Sequence, residues 1–285
     1  MNDFTDRRRE VLRLNRPSQQ QFQRAVRTGR PLIIAGCAEE LSRGHTYSLD
    51  LLQRAIGNRR IEVDRRPSRN TPQDPQSRPD FQRVRFQDFR RRLMTETFDG
   101  PRTYLQDDVN HMPGLRPFYG EPEYLRDVTV TRTKLWVSGR GLVTPLHYDP
   151  VEVVHWMMEG SKRWVLVRPG LRNLYPYGLR TKAAMFSRVD PDAPDLKAFP
   201  RWRGVRPIEF DLQAGELLYI PAFFWHRVES TSDYNVSMNY IWVASLRKML
   251  RYLPEFGHAV PFVRWQAKRI SAARTTMHED RRVRL

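Results

Sequence analysis

Two histidines and an aspartate stand in the sequence in a pattern that could bind a metal ion. His147 and Asp149 are two residues apart, and residues two apart on a β-strand project from the same face. His226 follows the segment 215–225, which predicts a strand and a turn beside it. Two imidazoles and one carboxylate can occupy one face of an octahedron and leave three positions open, which suits non-haem Fe(II). An isolated His-x-Asp pair is more often a surface pair or a hydrogen-bonded core histidine, and that alternative stays open on spacing alone.

Short strands must position these three residues. Between about residues 103 and 243, runs of aromatic and β-branched residues are separated by Gly, Pro and Asp, a texture typical of an all-β sandwich or barrel. After residue 242 the apolar spacing becomes helical again. The predicted strands are Tyr104–Leu105, Val128–Val137, Val153–Met158, Arg163–Val167, Glu209–Leu212, Leu217–Ile220 and Val236–Trp242.

The first hundred residues predict mixed α and β structure. Ser18 followed by Gln21 is a capping-box pattern that begins one helix, and Ser48 begins a second. Gly29 and Gly57 follow these helices, as expected of helix ends. Apolar runs at 31–35 and 61–63 predict strands, Phe81–Met94 predicts a further helix, and the Pro- and Arg-rich residues 65–80 predict an exposed loop.

The composition describes a basic, folded chain. Of 285 residues 40% are hydrophobic, which excludes a mostly disordered protein, and no apolar stretch is long enough for a membrane helix. Lys and Arg number 49 against 32 Asp and Glu, a net charge of +17, and only six of the cations are lysine. This charge favours polyanionic partners or an ordinary solvated surface in equal measure. The single cysteine, Cys37, and the absence of an apolar leader predict a cytoplasmic protein.

Residues 139–169 and 214–226 resemble the two metal-ligand blocks of the cupin-like JmjC hydroxylases, which are Fe(II)- and 2-oxoglutarate-dependent oxygenases. The similarity runs in consistent order over roughly residues 10–245. It implies a mainly β fold with α additions, built on a double-stranded β-helix (cupin or jelly-roll) core. The expected division is N-terminal α/β elements over 1–100, the catalytic core over 101–244, and a C-terminal helical segment over 245–285.

The same resemblance implies roles for individual residues. Iron would be bound by His147, Asp149 and His226, with 2-oxoglutarate and O2 as cosubstrates. The residues expected to contact 2-oxoglutarate are Lys162 at its distal carboxylate, Thr144 and Tyr104 as hydroxyl donors, and Asn239 near its metal-bound end. A dianion in a water-poor barrel needs a fixed cation and donors of this kind.

One departure from the family pattern concerns the residues that follow the first metal histidine. The family usually has asparagine six residues after it, where this chain has Val153, and His155 stands two residues later. Either His155 supplies the missing hydrogen-bond donor, or it is a satisfied histidine of the barrel interior. The departure also leaves open an altered or lost activity.

The leading functional prediction is a hydroxylase that acts on an amino-acid residue of a protein or peptide. Within the family, the segment 104–106 resembles the asparaginyl hydroxylase of hypoxia-inducible factor, whereas 138–141 resembles the tRNA wybutosine hydroxylase. A tRNA base is therefore the alternative substrate, and a metal-binding cupin without oxygenase activity is the alternative class. Surplus apolar residues over 245–275 predict a homodimer, or else packing of these helices on the chain's own barrel.

Overall fold

Thirteen strands form two facing sheets in the computed structural model of the chain, which describes residues 10–66, 80–97, 100–178 and 183–256. The larger sheet has the order β1 (Leu12–Asn15), β2 (Leu32–Ala35), β11 (Leu217–Ile220), β8 (Val151–Glu159), β13 (Tyr234–Val243), β6 (Arg132–Gly139), β5 (Arg102–Asp108), β3 (Arg60–Arg66) and β4 (Asp80–Arg85). The smaller sheet has the order β10 (Ile208–Gln213), β9 (Ser161–Val167), β12 (Trp225–Ser230) and β7 (Val143–Tyr148). This mainly β, two-sheet architecture confirms the predicted cupin or jelly-roll core.

The two sheets enclose an apolar interior. On β8, Val153 and Met157 face inward and pack in one cluster with Trp164 and Leu166 of β9. The alternate side chains of β8, such as Trp156, face outward into a second cluster formed with the helices. Since side chains alternate along a strand and both faces of β8 are covered, nearly the whole strand is buried. Any polar group on its inner face therefore lies in a water-poor space.

Five α-helices flank the sheets in the described residues: α1 (Gln19–Thr28), α2 (Ala38–Ser42), α3 (Leu49–Ile56), α4 (Phe86–Thr95) and α5 (Leu246–Phe256). The predicted capping box begins α1, where the Gln21 amide N donates to Ser18 Oγ over 3.3 Å and the Ser18 N donates to Gln21 Oε1 over 2.7 Å. Gly29 ends that helix with a φ of 62°. Ser48 caps α3, where its Oγ accepts from the Leu51 N over 3.1 Å. Local sequence chemistry therefore determined where these two helices begin and end.

The prediction of a helix over Phe81–Met94 was wrong for its first part. Asp80–Arg85 form the edge strand β4, which pairs antiparallel with β3, and the helix begins only at Phe86. The buried side chains Phe86, Phe89 and Leu93 follow helical spacing, whereas Phe81 precedes that pattern and is exposed. Pairing with β3 decided the conformation of this stretch. Strand β6 likewise begins at Arg132 and not at Val128.

Two further predictions concern segments that lie partly outside the described part of the chain. Of the predicted loop 65–80, the two ends belong to β3 and β4, and residues 67–79 lie outside the described part of the chain. Helix α5 lies within the predicted C-terminal helical segment. Residues 257–285 of that segment lie outside the described part of the chain. In the part that is described, no helix has both the length and the apolarity needed to cross a membrane. Cys37 is a free, buried thiol.

Candidate metal centre

His147, Asp149 and His226 come together at one end of the smaller sheet. His147 is the penultimate residue of β7, Asp149 follows directly after that strand, and His226 is the second residue of β12. The register of the two strands places His226 opposite His147. Each residue offers a ligand atom within 4.8 Å of the other two, and His226 Nε2 lies 3.8 Å from Asp149 Oδ2. This set could hold a metal ion, although Asp149 reaches it from a turn and not from the strand that its spacing suggested.

Backbone contacts orient both imidazoles. His147 Nδ1 lies 2.8 Å from the Pro145 carbonyl oxygen, and His226 Nδ1 lies 3.0 Å from that of Phe224. Because a carbonyl oxygen only accepts, each Nδ1 carries the hydrogen and each Nε2 keeps its lone pair. Metal-binding histidines are commonly fixed in this way. The two imidazoles are thus prepared as ligands by groups outside the triad.

Burial keeps both histidines in the uncharged form that binds metals. It lowers the pKa of His147 to about 4, with His226 nearby adding to the effect. It also lowers the pKa of His226, although the Asp149 carboxylate acts in the opposite direction. Neutral imidazoles beside a carboxylate form a donor set of nitrogen and oxygen that suits Fe(II) and similar divalent ions.

The turn before β12 holds Asp149 in place. The Phe223 N donates to the Asp149 carbonyl oxygen over 2.7 Å, and Phe223 has a left-handed φ of 68°. The Trp225 indole donates to the Gly170 carbonyl oxygen over 3.1 Å and anchors the start of β12. Two segments separated by more than 70 residues are thereby joined at the triad.

Lys162 lies inside the barrel and not in solvent. Its side chain is on the inner face of β9, it is 3% exposed, and its Nζ donates to Ser237 Oγ over 2.7 Å. No carboxylate of the described residues pairs with it, and burial lowers its pKa to about 7. A buried cation without a counter-charge is costly, so this position favours a bound anion. A burial of this degree excludes a solvated surface lysine at this position.

Tyr104 and Thr144, predicted as donors, are neighbours. Burial of Tyr104 on β5 raises its pKa, and the nearby Thr144 side chain lowers that pKa by a smaller amount. The Arg66 guanidinium lies 5.1 Å from the centre of the Tyr104 ring, and the Trp136 ring lies 5.2 Å from it. Because Arg66 also acts on His147, the pair lies in the part of the interior that faces the triad.

Asn239 and His155 are neighbours across the β8–β13 ladder. Their backbones are paired in register, and His155 Nδ1 lies 2.5 Å from Asn239 Oδ1. The other ring nitrogen, His155 Nε2, is buried and has no hydrogen-bond partner among the described residues. Each open interpretation of His155 is therefore supported by one ring nitrogen. Nδ1 is satisfied, as in a structural histidine of the interior, and Nε2 is left for a further partner.

Unpartnered polar atoms gather on this inner face. Besides His155 Nε2, the indole nitrogens of Trp136 and Trp164 are buried and lack a partner in the described part of the chain. Trp164 lies between the two histidines, 5.0 Å from the ring of His155 and 6.0 Å from that of His226. Buried donors normally find acceptors. Together with Lys162 they fit a small, oxygen-rich anion such as a dicarboxylate.

Sequence reasoning missed Ser237, Trp164 and Trp136 as parts of this interior. A period-two signal could have found the first two, because Ser237 precedes Asn239 by two residues and Trp164 follows Lys162 by two. Trp136 becomes a neighbour only through pairing of β6 with β5 and β13.

Comparison with known proteins agrees with this architecture. The sequence model of the cupin-like domain matches residues 17–248, which is most of the chain. The chain belongs to the cupin-like JmjC family. Members of this cupin-like family are typically iron- and 2-oxoglutarate-dependent oxygenases. The histidine–aspartate–histidine triad described above is consistent with iron binding.

Three relatives of this cupin-like chain illustrate the range of the family. Jumonji C domain-containing protein 5 of Drosophila melanogaster is 26% identical over 82% of this chain and 60% of its own length. HSPB1-associated protein 1 of Bos taurus is 35% identical over 37% of this chain and 22% of its own length. The human tRNA wybutosine-synthesizing protein 5 is 29% identical over 50% of this chain and 44% of its own length. The chain thus matches less than two thirds of the length of each relative.

Proposed function

We propose that this cupin-like chain is an Fe(II)- and 2-oxoglutarate-dependent oxygenase that hydroxylates an amino-acid residue of a protein or peptide. The observation that carries the proposal is the buried, unpaired Lys162 on the same inner surface as three convergent metal ligands. A divalent cation satisfies the triad, and a dicarboxylate that reaches from the metal to Lys162 satisfies the lysine. A metal site alone leaves the cation without a counter-charge.

In this proposal each residue of the interior has a defined task. His147, Asp149 and His226 hold the iron, and their backbone contacts keep the imidazole lone pairs directed at it. Lys162 binds the distal carboxylate of 2-oxoglutarate, and Ser237 holds the ammonium group in place. When bound, iron with 2-oxoglutarate and O2 supplies the oxidising chemistry that converts a C–H bond into C–OH.

The remaining predicted contacts complete the binding of the cosubstrate. Tyr104 and Thr144 supply hydroxyl donors for its distal carboxylate, and Asn239, which contacts His155, lies toward its metal-bound end. Apolar side chains of the interior keep water away, which strengthens every one of these polar contacts.

The charges near the triad support a protein substrate over a nucleic acid. Arg66 and Asp64 of β3 pair over 2.7 Å, and Arg132 of β6 pairs with Asp108 of β5 over 3.3 Å. Binding to a phosphate backbone needs cations that are free to replace counterions. Arg66 and Arg132 are held by carboxylates and are therefore not free cations of that kind.

A tRNA base is the second candidate, supported by the relative named tRNA wybutosine-synthesizing protein 5 and by the excess of arginine. The segment 138–141, which resembles that enzyme, has a structural role as well. Ser138 Oγ lies 2.8 Å from Ser230 Oγ, Arg140 pairs with Asp233, and Gly141 has a φ of 79° in the β6–β7 turn. Its residue types are explained without RNA, so the segment gives the tRNA alternative little weight.

The deciding experiment measures succinate released from 2-oxoglutarate by the Fe(II)-loaded chain with a peptide pool, with a tRNA pool, and with neither. We expect release above background with peptides, and its loss in His226→Gln. His45→Gln, which changes an exposed histidine outside the triad, is the matched control and should keep activity. Turnover with tRNA and not with peptides would make a tRNA base the substrate in place of an amino-acid residue. Failure to bind Fe(II) and 2-oxoglutarate without O2 leaves only a metal-free or purely metal-binding cupin and refutes the proposal.

We further propose a cytoplasmic homodimer. On α5, Leu246 and Leu250 are 67% and 57% exposed and lie one turn apart, so they offer an apolar stripe to a second copy. Sedimentation at micromolar concentration tests this. A dimer that dissociates in the variant Leu246→Glu with Leu250→Glu agrees with it, and a monomeric native chain contradicts it.

A further inference from the structure

His155 is a buried polar group that the protein itself satisfies only by half. It is 3% exposed, its Nδ1 is bonded to the Asn239 side chain, and its Nε2 meets no acceptor or donor in the described residues. Buried polar atoms are normally paired, so an orphaned one on the wall of a candidate site indicates that its partner is a ligand.

The surroundings of His155 limit what that ligand can be. Its ring faces Trp164 at 5.0 Å between centres, on the inner face of β8. Trp164 also lies 6.0 Å from the ring of His226, and Lys162 stands two residues before it on the same face of β9, so the His155 ring lies in the region between the lysine and the triad. No carboxylate of the described residues acts on it. An anion held by Lys162 and directed at the triad would pass within reach of Nε2.

The Asn239 side chain determines which ring nitrogen carries the hydrogen. When Asn239 Oδ1 faces the ring it accepts from Nδ1, which leaves Nε2 as an acceptor. The oxygen and nitrogen of an amide are interchangeable by a half-turn, and Asn239 makes no other side-chain hydrogen bond in the described part of the chain. After that half-turn Nδ2 donates to Nδ1, and Nε2–H becomes a donor. An anion, which only accepts, stabilises this second arrangement.

We infer that His155 is a cosubstrate-binding residue, which donates Nε2–H to an oxygen of 2-oxoglutarate while Asn239 holds its ring in the donor tautomer. The inference rests on the proposed function, because it names 2-oxoglutarate as the anion. It assigns to His155 the donor that is absent at Val153, two residues earlier on the same inner face of β8.

Titration calorimetry of the Zn(II)-loaded chain with 2-oxoglutarate tests the inference without turnover. His155→Leu should weaken binding by about tenfold to a hundredfold, the usual effect of a hydrogen bond to a charged group. Met157→Leu, on the same face of β8 without a hydrogen bond, is the matched control and should bind as the native chain does. Adding Val153→Asn to His155→Leu returns an amide donor to that face and should restore part of the affinity. Unchanged zinc content and thermal unfolding show that the variants are folded.

Nitrogen-15 spectra of the histidines in the native Zn(II)-loaded chain provide a second, mutation-free test. With 2-oxoglutarate bound, His155 should carry its hydrogen on Nε2, and Asn239→Ala should reduce that preference. Native affinity in His155→Leu, or an Nε2 that stays unprotonated in the loaded chain, overturns the inference and leaves the proposed function standing. A native chain that binds no 2-oxoglutarate overturns both.

Discussion

Replacement of Lys162 by methionine tests whether the barrel holds an unpaired charge in readiness for a ligand. Burial lowers the pKa of Lys162 from 10.5 to about 7 in the ligand-free chain. That separation of about 3.5 pH units corresponds to about 5 kcal/mol against folding while the lysine is protonated, at 1.36 kcal/mol for each pH unit. Methionine has similar length and no charge. The ligand-free variant should therefore be more stable than the native chain at pH 6, by up to about 5 kcal/mol.

The gain should depend on pH in a definite direction. Below pH 7 the lysine is protonated in both the folded and the unfolded chain, so the whole penalty is present. Between about pH 7 and pH 10.5 the unfolded chain binds more protons than the folded one, and the stability of the native protein rises with pH. The advantage of the variant should thus fall to about 2 kcal/mol at pH 9.

Urea-induced unfolding of the metal-free native chain and of Lys162→Met at pH 6 and pH 9 measures both quantities. Lys197→Met, at an exposed lysine, is the control and should change little at either pH. The same Lys162→Met variant should bind 2-oxoglutarate about a hundredfold more weakly, because a charge-assisted bond is lost. A variant no more stable than the native chain at pH 6, or a gain that is equal at both pH values, refutes the reasoning.

Three further predictions concern the scaffold that supports the site. Lys248 of α5 pairs with the buried Glu152 carboxylate of β8, and Lys248→Met should lower the free energy of unfolding by about 3–5 kcal/mol, since the carboxylate then keeps its hydrogen bonds from Tyr219 and Ala222 but loses its counter-ion. The double variant with Glu152→Gln should recover part of the loss in chemical denaturation, and no recovery would contradict the coupling. Gly160→Ala should cost more than the roughly 1–2 kcal/mol of a left-handed residue, because φ is +83° and the new Cβ meets a carbonyl oxygen at 2.6 Å. Gly44→Ala, with φ +75° and open space, should show the conformational cost alone, and equal losses would argue against the clash. Ser18→Ala removes the cap of α1 and should cost about 0.5–2 kcal/mol in thermal or urea unfolding, and an unchanged stability would count against a contribution from the cap.

Local patterns in the sequence predicted much of the fold. The caps of α1 and α3 and most strands of the core were legible, because the groups that decide them lie within a few residues of one another. The strand β4 could not be predicted in this way, because Asp80–Arg85 became a strand only through pairing with β3, on the other side of residues 67–79. The position of Asp149 just after β7 also depended on a contact with the turn at Phe223.

The chemistry of the interior divides in the same way. The sequence by itself determined the residue types of the triad and the presence of a lysine thirteen residues after Asp149. Only the tertiary structure decided that Lys162 is buried without a carboxylate and that His155 is satisfied on one side alone. His155 and Asn239 are 84 residues apart and meet because β8 and β13 pair in one particular register. Which polar groups remain unpaired depends on that register and on the burial it creates, and neither can be deduced from local sequence.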